Sequence, residues 1–484
     1  MNYRSIAFVS GTLLLVTGGA LILPVICSLW YGEGDLLALT ASMLVLIAVG
    51  LPLRMLFRAD KNLGTRESFL IAVFGWVAIS AASTMPFLIH GSIGSFTDAF
   101  FEMMSGYTTT GATILTDIEV LPRGLLLWRS ETHLLGGMGF LTLAVLFLPH
   151  GVGGMRMFRA ESSPGQVITK ERFTARNRDA IWYLWIIYLV LNLAEIVLLM
   201  FGGMSLFDAA CHAFGTVSTS GYSPYNASVG HFQSAYVDWV VILFMFLGGV
   251  TFMLFFFLVQ REWKIVWVNT ELRWYVSLTV VFCVGVSLLL WTQQTYEPLD
   301  ALRYGTFQVV SLLTTTGFTT ADYELWPQAA QMMLFLVCFI GACAGSTTSG
   351  IKIIHYVLIW KFGVATIKKI FFQPLAVLSV RVNGRRVDNL VLYLAVFYFI
   401  VNIFLVLLGG VVLTVIDQLD YLSAMSAVIS ALMNIGPGFG AIGPSENFAF
   451  MSDASKWFLS WNMLVGRLEM FSALVVFYSS FWRS

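Results

Sequence analysis

Apolar positions along this chain fall into long blocks instead of a helix or strand period. Nearly uncharged runs of roughly 20 residues, the length that spans a bilayer, begin near Ile6, Leu36, Phe69, Leu125, Ile181, Val237, Tyr275, Ala330, Leu390 and Trp457. The pattern predicts an all-α integral membrane fold with ten transmembrane helices. A second, shorter pattern lies between them. Thr108-Thr109-Thr110-Gly111, Ser218-Thr219-Ser220-Gly221, Thr314-Thr315-Thr316-Gly317 and Asn434-Ile435-Gly436 recur along the chain, each between two apolar runs. An aspartate, Asp98, Asp208, Asp300 or Asp420, precedes each loop glycine by 13, 13, 17 and 16 positions.

An acidic residue caps a helix start and opposes its positive dipole end. A helix filling such an interval is about 15 to 20 Å long, too short to cross a membrane but suited to a re-entrant pore helix. The unit is therefore helix, short helix, glycine loop, helix, four times, after a preliminary helix pair. The boundaries read 1–66 for that pair, then 67–178, 179–273, 274–386 and 387–484 for repeats around one pore. Irregular backbone at membrane depth is tolerated only where it is buried in protein or lines a wet cavity. A ring of carbonyls from several loops is how a pore replaces the hydration shell of a cation. Glycine at 111, 221, 317 and 436 frees the backbone to turn carbonyls toward one axis, and the hydroxyls beside it either add oxygen ligands or brace the loop. A single Thr-Thr-Gly is more often a packing or kink site; four in register, each behind an aspartate, point to a filter.

Composition supports the membrane reading: 58% of the 484 residues are hydrophobic and 11% charged, against about 25% charged in soluble domains. The formal net charge is zero, which excludes nucleic-acid binding driven by bulk charge. Basic residues mark the cytoplasmic side. With both termini inside, the cytoplasmic stretches hold Arg54, Arg58, Lys61 and Arg66, the set from Arg156 to Arg178, Arg261, Lys264 and Arg273, and the set from Lys352 to Arg386. All four glycine loops then lie near the outer face. The segment Arg156 to Arg178 is either plain topology signal or a landing surface for a cytosolic subunit. The six histidines and five cysteines show no metal-type spacing, and no catalytic constellation is visible, so an enzyme is not expected. Gly438-Phe439-Gly440-Ala441-Ile442-Gly443 spells a dinucleotide fingerprint without the βαβ context that gives it meaning.

Two further features lie below the loops. Residues 341–350, Gly-Ala-Cys-Ala-Gly-Ser-Thr-Thr-Ser-Gly, weaken a helix through glycine and through hydroxyls that compete for backbone hydrogen bonds. They predict either a loop within the membrane or a small-residue packing face; the length of the flanking runs favours the loop. Arg467 falls mid-span, where a cation costs about 2.5 to 3.5 kcal/mol. Glu469, two residues away, faces elsewhere on a helix, so Arg467 either projects into the pore as a barrier or joins a structural ion pair. Lys352 either holds the small-residue loop or snorkels at a helix end.

Trp128-Arg129, Gly136-Gly137-Met138-Gly139, Gly345-Ser346-Thr347, Gly466-Arg467 and the four glycine loops together resemble the membrane subunit of bacterial Trk-type potassium uptake systems, in the Trk/Ktr/HKT superfamily, over essentially the whole chain. That resemblance implies potassium uptake across the bacterial inner membrane by a homodimer of such pores. Together with the residue patterns above, it gives an expected filter of Thr109, Thr110, Gly111, Thr219, Ser220, Gly221, Thr315, Thr316, Gly317, Asn434, Ile435 and Gly436, and an expected gate of Gly345, Ser346, Thr347, Lys352 and Arg467. It further implies control by a cytosolic nucleotide-binding ring of Rossmann-type domains, with membrane lipid and no nucleic acid as other partners and no cofactor besides the transported potassium. In plant relatives a serine at the first loop glycine goes with sodium transport, and Gly111 resembles the potassium-type arrangement. The fourth loop departs from the pattern, with no Thr or Ser in the filter. Alternatives are a less selective potassium/sodium channel and a cation-coupled secondary transporter.

Overall fold

The computed structural model describes residues 3–57, 65–139, 177–371 and 379–482. The basic set from Arg156 to Arg176, together with Arg58, Lys61 and Arg483, lies outside them, and so does the docking reading placed there. The described elements are helices except for one antiparallel hairpin, Arg381–Val382 with Arg385–Arg386. Its turn places Asn383 and Gly384 at φ of 50° and 77°, the paired left-handed angles for which Asn-Gly is favoured.

Among the described residues, six helices are long and apolar enough to cross a membrane: Tyr3–Tyr31, Leu36–Leu56, Arg66–His90, Ile181–Phe201, Thr270–Thr292 and Asn389–Asp417. A seventh span is a pair, Ala235–Gly248 and Phe252–Val259, bent by 94°. The ten spans expected from the apolar runs are therefore not all continuous helices among the described residues; the break at 341–350 is the one the residues themselves predict. The runs near Leu125, Val237, Ala330 and Trp457 form the helices Arg123–Gly137, Ala235–Gly248, Gln328–Val337 and Asp453–Arg467, and each stops partway. Hydropathy sees a run of apolar residues; it does not see a backbone break inside the run.

Burial runs inside out relative to a soluble protein. Only 28% of the most apolar window of Asn389–Asp417 is buried, so most of a strongly apolar helix is left to face lipid. Four short, more polar helices are instead largely enclosed: Phe96–Tyr107, Leu206–Val217, Pro298–Leu313 and Tyr421–Met433, of 12, 12, 16 and 13 residues. At about 1.5 Å per residue they reach only about 18 to 24 Å. Their starts differ from expectation in one respect. Asp420 caps its helix, accepting from the Leu422 and Ser423 amides at 3.1 and 3.2 Å. Asp98, Asp208 and Asp300 lie within the first turn, behind caps at Ser95, Ser205 and Glu297. From there they still oppose the helix dipole.

Candidate functional site: four loops in a ring and the break beneath them

Each short helix ends the same way. The amide of Thr109, Thr219, Thr315 or Asn434 returns to the third residue back, and the next amide, of Thr110, Ser220, Thr316 or Ile435, to the fifth residue back at 2.8 to 2.9 Å. This double closure is the Schellman motif, and it needs a left-handed residue at its turn. That residue has φ of 55°, 55°, 55° and 54° in the four loops. A β-branched residue in this region is a true outlier, so three of the four loops hold a strained threonine. Asn434 takes the same angle with little strain, because asparagine tolerates it. The fourth loop, which departs from the sequence pattern, thus keeps the backbone pattern.

Two residues further on come the glycines, at φ of 80°, 81°, 80° and 96°. They bring the loops into a closed ring. A Cβ added to Gly111 would overlap the Ser220 carbonyl oxygen; one on Gly221 the Thr316 carbonyl; one on Gly317 the Ile435 carbonyl. On Gly436 it would reach the Thr110 oxygen at 2.7 Å, the loosest of the four junctions. All four glycines line one open cavity of about 110 Å³, room for a few waters or a partly hydrated ion.

The hydroxyls beside the glycines act as braces. Thr108 bonds Thr110 at 2.8 Å and Thr314 bonds Thr316 at 2.7 Å, and Ser218 and Ser220 pair likewise. Met433 and Ile435 replace that hydroxyl pair in the fourth loop. There the Asn434 amide donates to the Thr110 hydroxyl at 2.8 Å and to the Met463 carbonyl at 2.9 Å, tying the fourth loop to the first.

Behind the first loop lies a buried ion pair, Arg129 to Glu102 at 2.6 Å. Arg129 also donates to the Ser223 carbonyl at 3.0 Å and stacks over Tyr222 at 3.5 Å. Tyr222 in turn donates to the Glu102 carbonyl. Glu102 accepts from Thr113 and from the Ile114 amide at 3.0 Å. One cation thus locks the first loop to the second. The outer turns are stitched in the same order. Asn226 joins the second loop to Ile118, the Gly230 amide reaches the Thr319 carbonyl, Tyr323 reaches the Gly438 carbonyl, and the Phe448 amide reaches the Thr113 carbonyl. Lys456 to Asp98, 2.6 Å, adds an ion pair where the fourth unit meets the first.

Below the ring the helix that follows each loop ends partway, at Gly137, Gly248, Val337 and Arg467, and these ends expose carbonyls that a continuous helix would satisfy. Among the described residues the most extended break covers 338–352, a non-helical segment with Gly345 and Gly350 both left-handed at 76°. It packs directly under the ring of loops. Thr347 donates to the Val217 and Gly248 carbonyls at 2.9 and 3.1 Å, the Thr219 hydroxyl reaches Thr347 at 3.3 Å, and the Ser349 amide donates to the Thr315 hydroxyl at 3.0 Å. Lys352 donates back to the Thr348 carbonyl and holds the segment; Ser346 braces it through Thr348 and the Cys343 carbonyl.

Arg467 lies at the end of its helix and reaches across the same space. It donates to the Thr109 hydroxyl and the Thr347 carbonyl, both at 2.9 Å, and to the Gly136 and Gly137 carbonyls where another helix stops. A cation at freed helix C-terminal carbonyls is favourably placed. Glu469 does not face away as helical spacing implies. The helix stops at Arg467, and Glu469 and Met470 turn left-handed at φ of 51° and 60°. Glu469 is buried, and Lys352 lies in the field of Glu469, Arg467 and Glu271. Two cations and two carboxylates share this low-dielectric region.

The structure therefore joins Thr109, Thr219, Thr315, Thr347 and Arg467 through one set of hydrogen bonds, while Gly345, Ser346 and Lys352 belong to the same segment as Thr347 without reaching the loop threonines. Sequence reasoning missed Glu102 and Glu271, each a single carboxylate with no motif around it. It missed the left-handed threonines as well, since threonine gives no conformational signal of this kind.

Comparison with known proteins agrees over the full length. The TrkH family model, described as a cation transport protein, matches residues 37–484. The Trk system potassium uptake protein TrkH of Salmonella typhimurium is 37% identical over 488 residues, covering all of both chains. The TrkG protein of Escherichia coli K12 is 32% identical over 490 residues, covering all of this chain and 99% of that one. The crystal structure of the potassium transporter TrkH from Vibrio parahaemolyticus superposes with a TM-score of 0.89 at 33% identity, covering both chains completely.

Proposed function

The chain belongs to the TrkH family of cation transport proteins, a family of transporters and not of enzymes, and from that premise we propose that it is the potassium-conducting membrane subunit of a Trk-type uptake system. The observation that carries the reading is the closed sequence of glycine-to-carbonyl approaches, 111 to 220, 221 to 316, 317 to 435 and 436 to 110. Four loops with one backbone conformation present equivalent oxygens around one cavity, which is what stripping water from a monovalent cation requires. The carbonyls of Thr110, Ser220, Thr316 and Ile435 replace the lost water. The negative ends of the four short helices favour positive charge at the loops. The units run 67–178, 179–273, 274–386 and 387–484 behind the pair at 1–66.

Residues 338–352 and Arg467 occupy the path beneath the filter and close it. Opening requires that the segment leave its bonds to Thr219, Thr315 and Arg467. We assign that movement to a cytosolic nucleotide-binding ring acting on a homodimer in the bacterial inner membrane, with both termini in the cytoplasm. A second reading, weaker potassium over sodium discrimination, draws support from the looser junction at Gly436 and the apolar Met433 and Ile435 beside it. Expression in a potassium-uptake-deficient bacterium at limiting potassium tests the reading, with a Trk cytosolic subunit supplied or withheld. Growth rescue is expected with the subunit; no rescue in either case contradicts the reading.

A further inference from the structure

Glu271 has no part in the filter, and its side chain is buried within a membrane protein, where an ionisable group is retained only for a reason. It lies in the first turn of the helix Thr270–Thr292 and is 2% exposed. Its Oε1 accepts two backbone amides, from Ala344 at 2.7 Å and from Ile354 at 3.2 Å. Those amides flank the tip of the segment beneath the ring: Ala344 precedes the tip, and Ile354 follows it in the first turn of the helix Ile353–Phe371. One carboxylate oxygen thus closes the base of the loop whose tip touches Thr219, Thr315 and Arg467. The adjoining break is tied to the same place, because Thr251 donates to the Ala344 carbonyl at 2.8 Å and the Phe252 amide to the Gly345 carbonyl at 3.0 Å.

The connection continues outward. The Thr270 amide, one residue before Glu271, donates to Asn383 at 2.8 Å, and Asn383 is the exposed turn of the hairpin 381–386. A separate hydrophobic cluster packs Val380, Val382 and Val387 of the hairpin region with Ala344 of the loop and Ile354 beyond it. The hairpin thus grips the helix that carries Glu271 and the loop that Glu271 holds. An exposed tip bearing Arg381, Arg385 and Arg386 is mechanically continuous with the closure beneath the filter.

We propose that Glu271 is the positioning residue of the gate: by holding Ala344 and Ile354 on the two sides of the loop tip it keeps the 338–352 segment in the closed position, and force on the 381–386 hairpin releases that hold. The inference rests on the transport reading above and adds to it the residue that sets the closed state. Charge-assisted hydrogen bonds are the strong ones, so removing this acceptor shifts the balance toward the open arrangement without touching the filter.

The test uses the full chain purified into liposomes without any cytosolic subunit, with two readouts. The first is rubidium uptake under an imposed membrane potential, with potassium or sodium as competitor. The second is alkylation of Cys343 by N-ethylmaleimide, read by peptide mass spectrometry, since Cys343 lies in the segment and is fully buried. Glu271→Ala is expected to raise subunit-free uptake about tenfold, the shift that losing a charge-assisted hydrogen bond produces, and to expose Cys343, with potassium over sodium preference unchanged. Glu271→Gln keeps an acceptor oxygen and is expected to stay nearer wild type in both. Wild-type uptake together with wild-type Cys343 labelling in Glu271→Ala overturns the proposal, and so does loss of potassium preference, which makes Glu271 a filter brace. If Glu271→Ala gives no monodisperse protein, Glu271→Asp, with a shorter reach to the two amides, is read by the same measurements; wild-type behaviour there overturns the proposal. Wild-type protein that never carries rubidium sinks the transport reading instead, and Cys343 labelling still decides the role of Glu271.

Discussion

Gly221→Ala puts the ring itself under test. At φ of 81° a residue with a Cβ carries left-handed strain of about 1 to 2 kcal/mol. The added Cβ also overlaps the Thr316 carbonyl oxygen and comes within 3.1 Å of both the Thr316 and Gly317 carbonyl carbons. All of these are backbone atoms of the neighbouring loop, so no flexible side chain can swing aside. Overpacking of this kind costs about 1 to 3 kcal/mol, and the two terms together reach about 2 to 5 kcal/mol. The strain is relieved only by moving the second and third loops apart, which widens the ring on one side. Gly436→Ala is the internal control, because its nearest neighbour is the Thr110 oxygen at 2.7 Å and a smaller shift suffices. Rubidium uptake into proteoliposomes, competed by potassium or sodium, reads the geometry; melting of the detergent-purified protein reads the stability. Gly221→Ala is expected to lower the melting temperature and reduce potassium over sodium preference at least about tenfold, the factor that about 1.4 kcal/mol represents, with Gly436→Ala milder in both. Unchanged preference in Gly221→Ala, or greater damage from Gly436→Ala, refutes the ring.

Arg467→Ala removes the donors to Thr347, Thr109 and the Gly136 and Gly137 carbonyls, so uptake without a cytosolic subunit should rise; unchanged rate and unchanged selectivity would show that Arg467 does not obstruct the path. Arg129→Ala leaves Glu102 buried without its cation, a loss of about 3 to 5 kcal/mol to be seen as a lowered melting temperature. Adding Glu102→Gln to it should restore part of that loss, as coupled partners do, and a single variant as stable as wild type contradicts the clamp. Lys456→Met breaks the pair with Asp98 across the seam between the fourth and first units, and should lower the melting temperature with less effect on ion preference than Gly221→Ala.

Much of this arrangement is legible in the residues because membrane spans, glycine loops and helix-start aspartates each carry a strong local signal. The breaks after Gly137 and Gly248 carry a weak one. Their flanks are apolar and helix-compatible, and the freed carbonyls are satisfied by Arg467 and Thr347, which lie hundreds or about a hundred residues away. Glu469 shows the same limit in another form. Helical spacing sends it away from Arg467, but two consecutive left-handed residues cancel the spacing. The fourth loop shows the reverse case: Asn434 looks like a departure from Thr-rich filters, yet asparagine suits the left-handed angle that the other three loops impose on threonine. Side-chain chemistry differs there because the backbone requirement is the same. Glu102 and Glu271 were invisible for a simpler reason, since a lone acid in an apolar run shows its meaning only when its partners are placed around it.

The most direct test of the central claim is rubidium uptake by the wild-type chain in liposomes, with its cytosolic subunit, under an inside-negative potential. Uptake that potassium suppresses and equal sodium does not is the expected result. No uptake under any condition, or equal suppression by both ions, would contradict a potassium-selective ring of four loops.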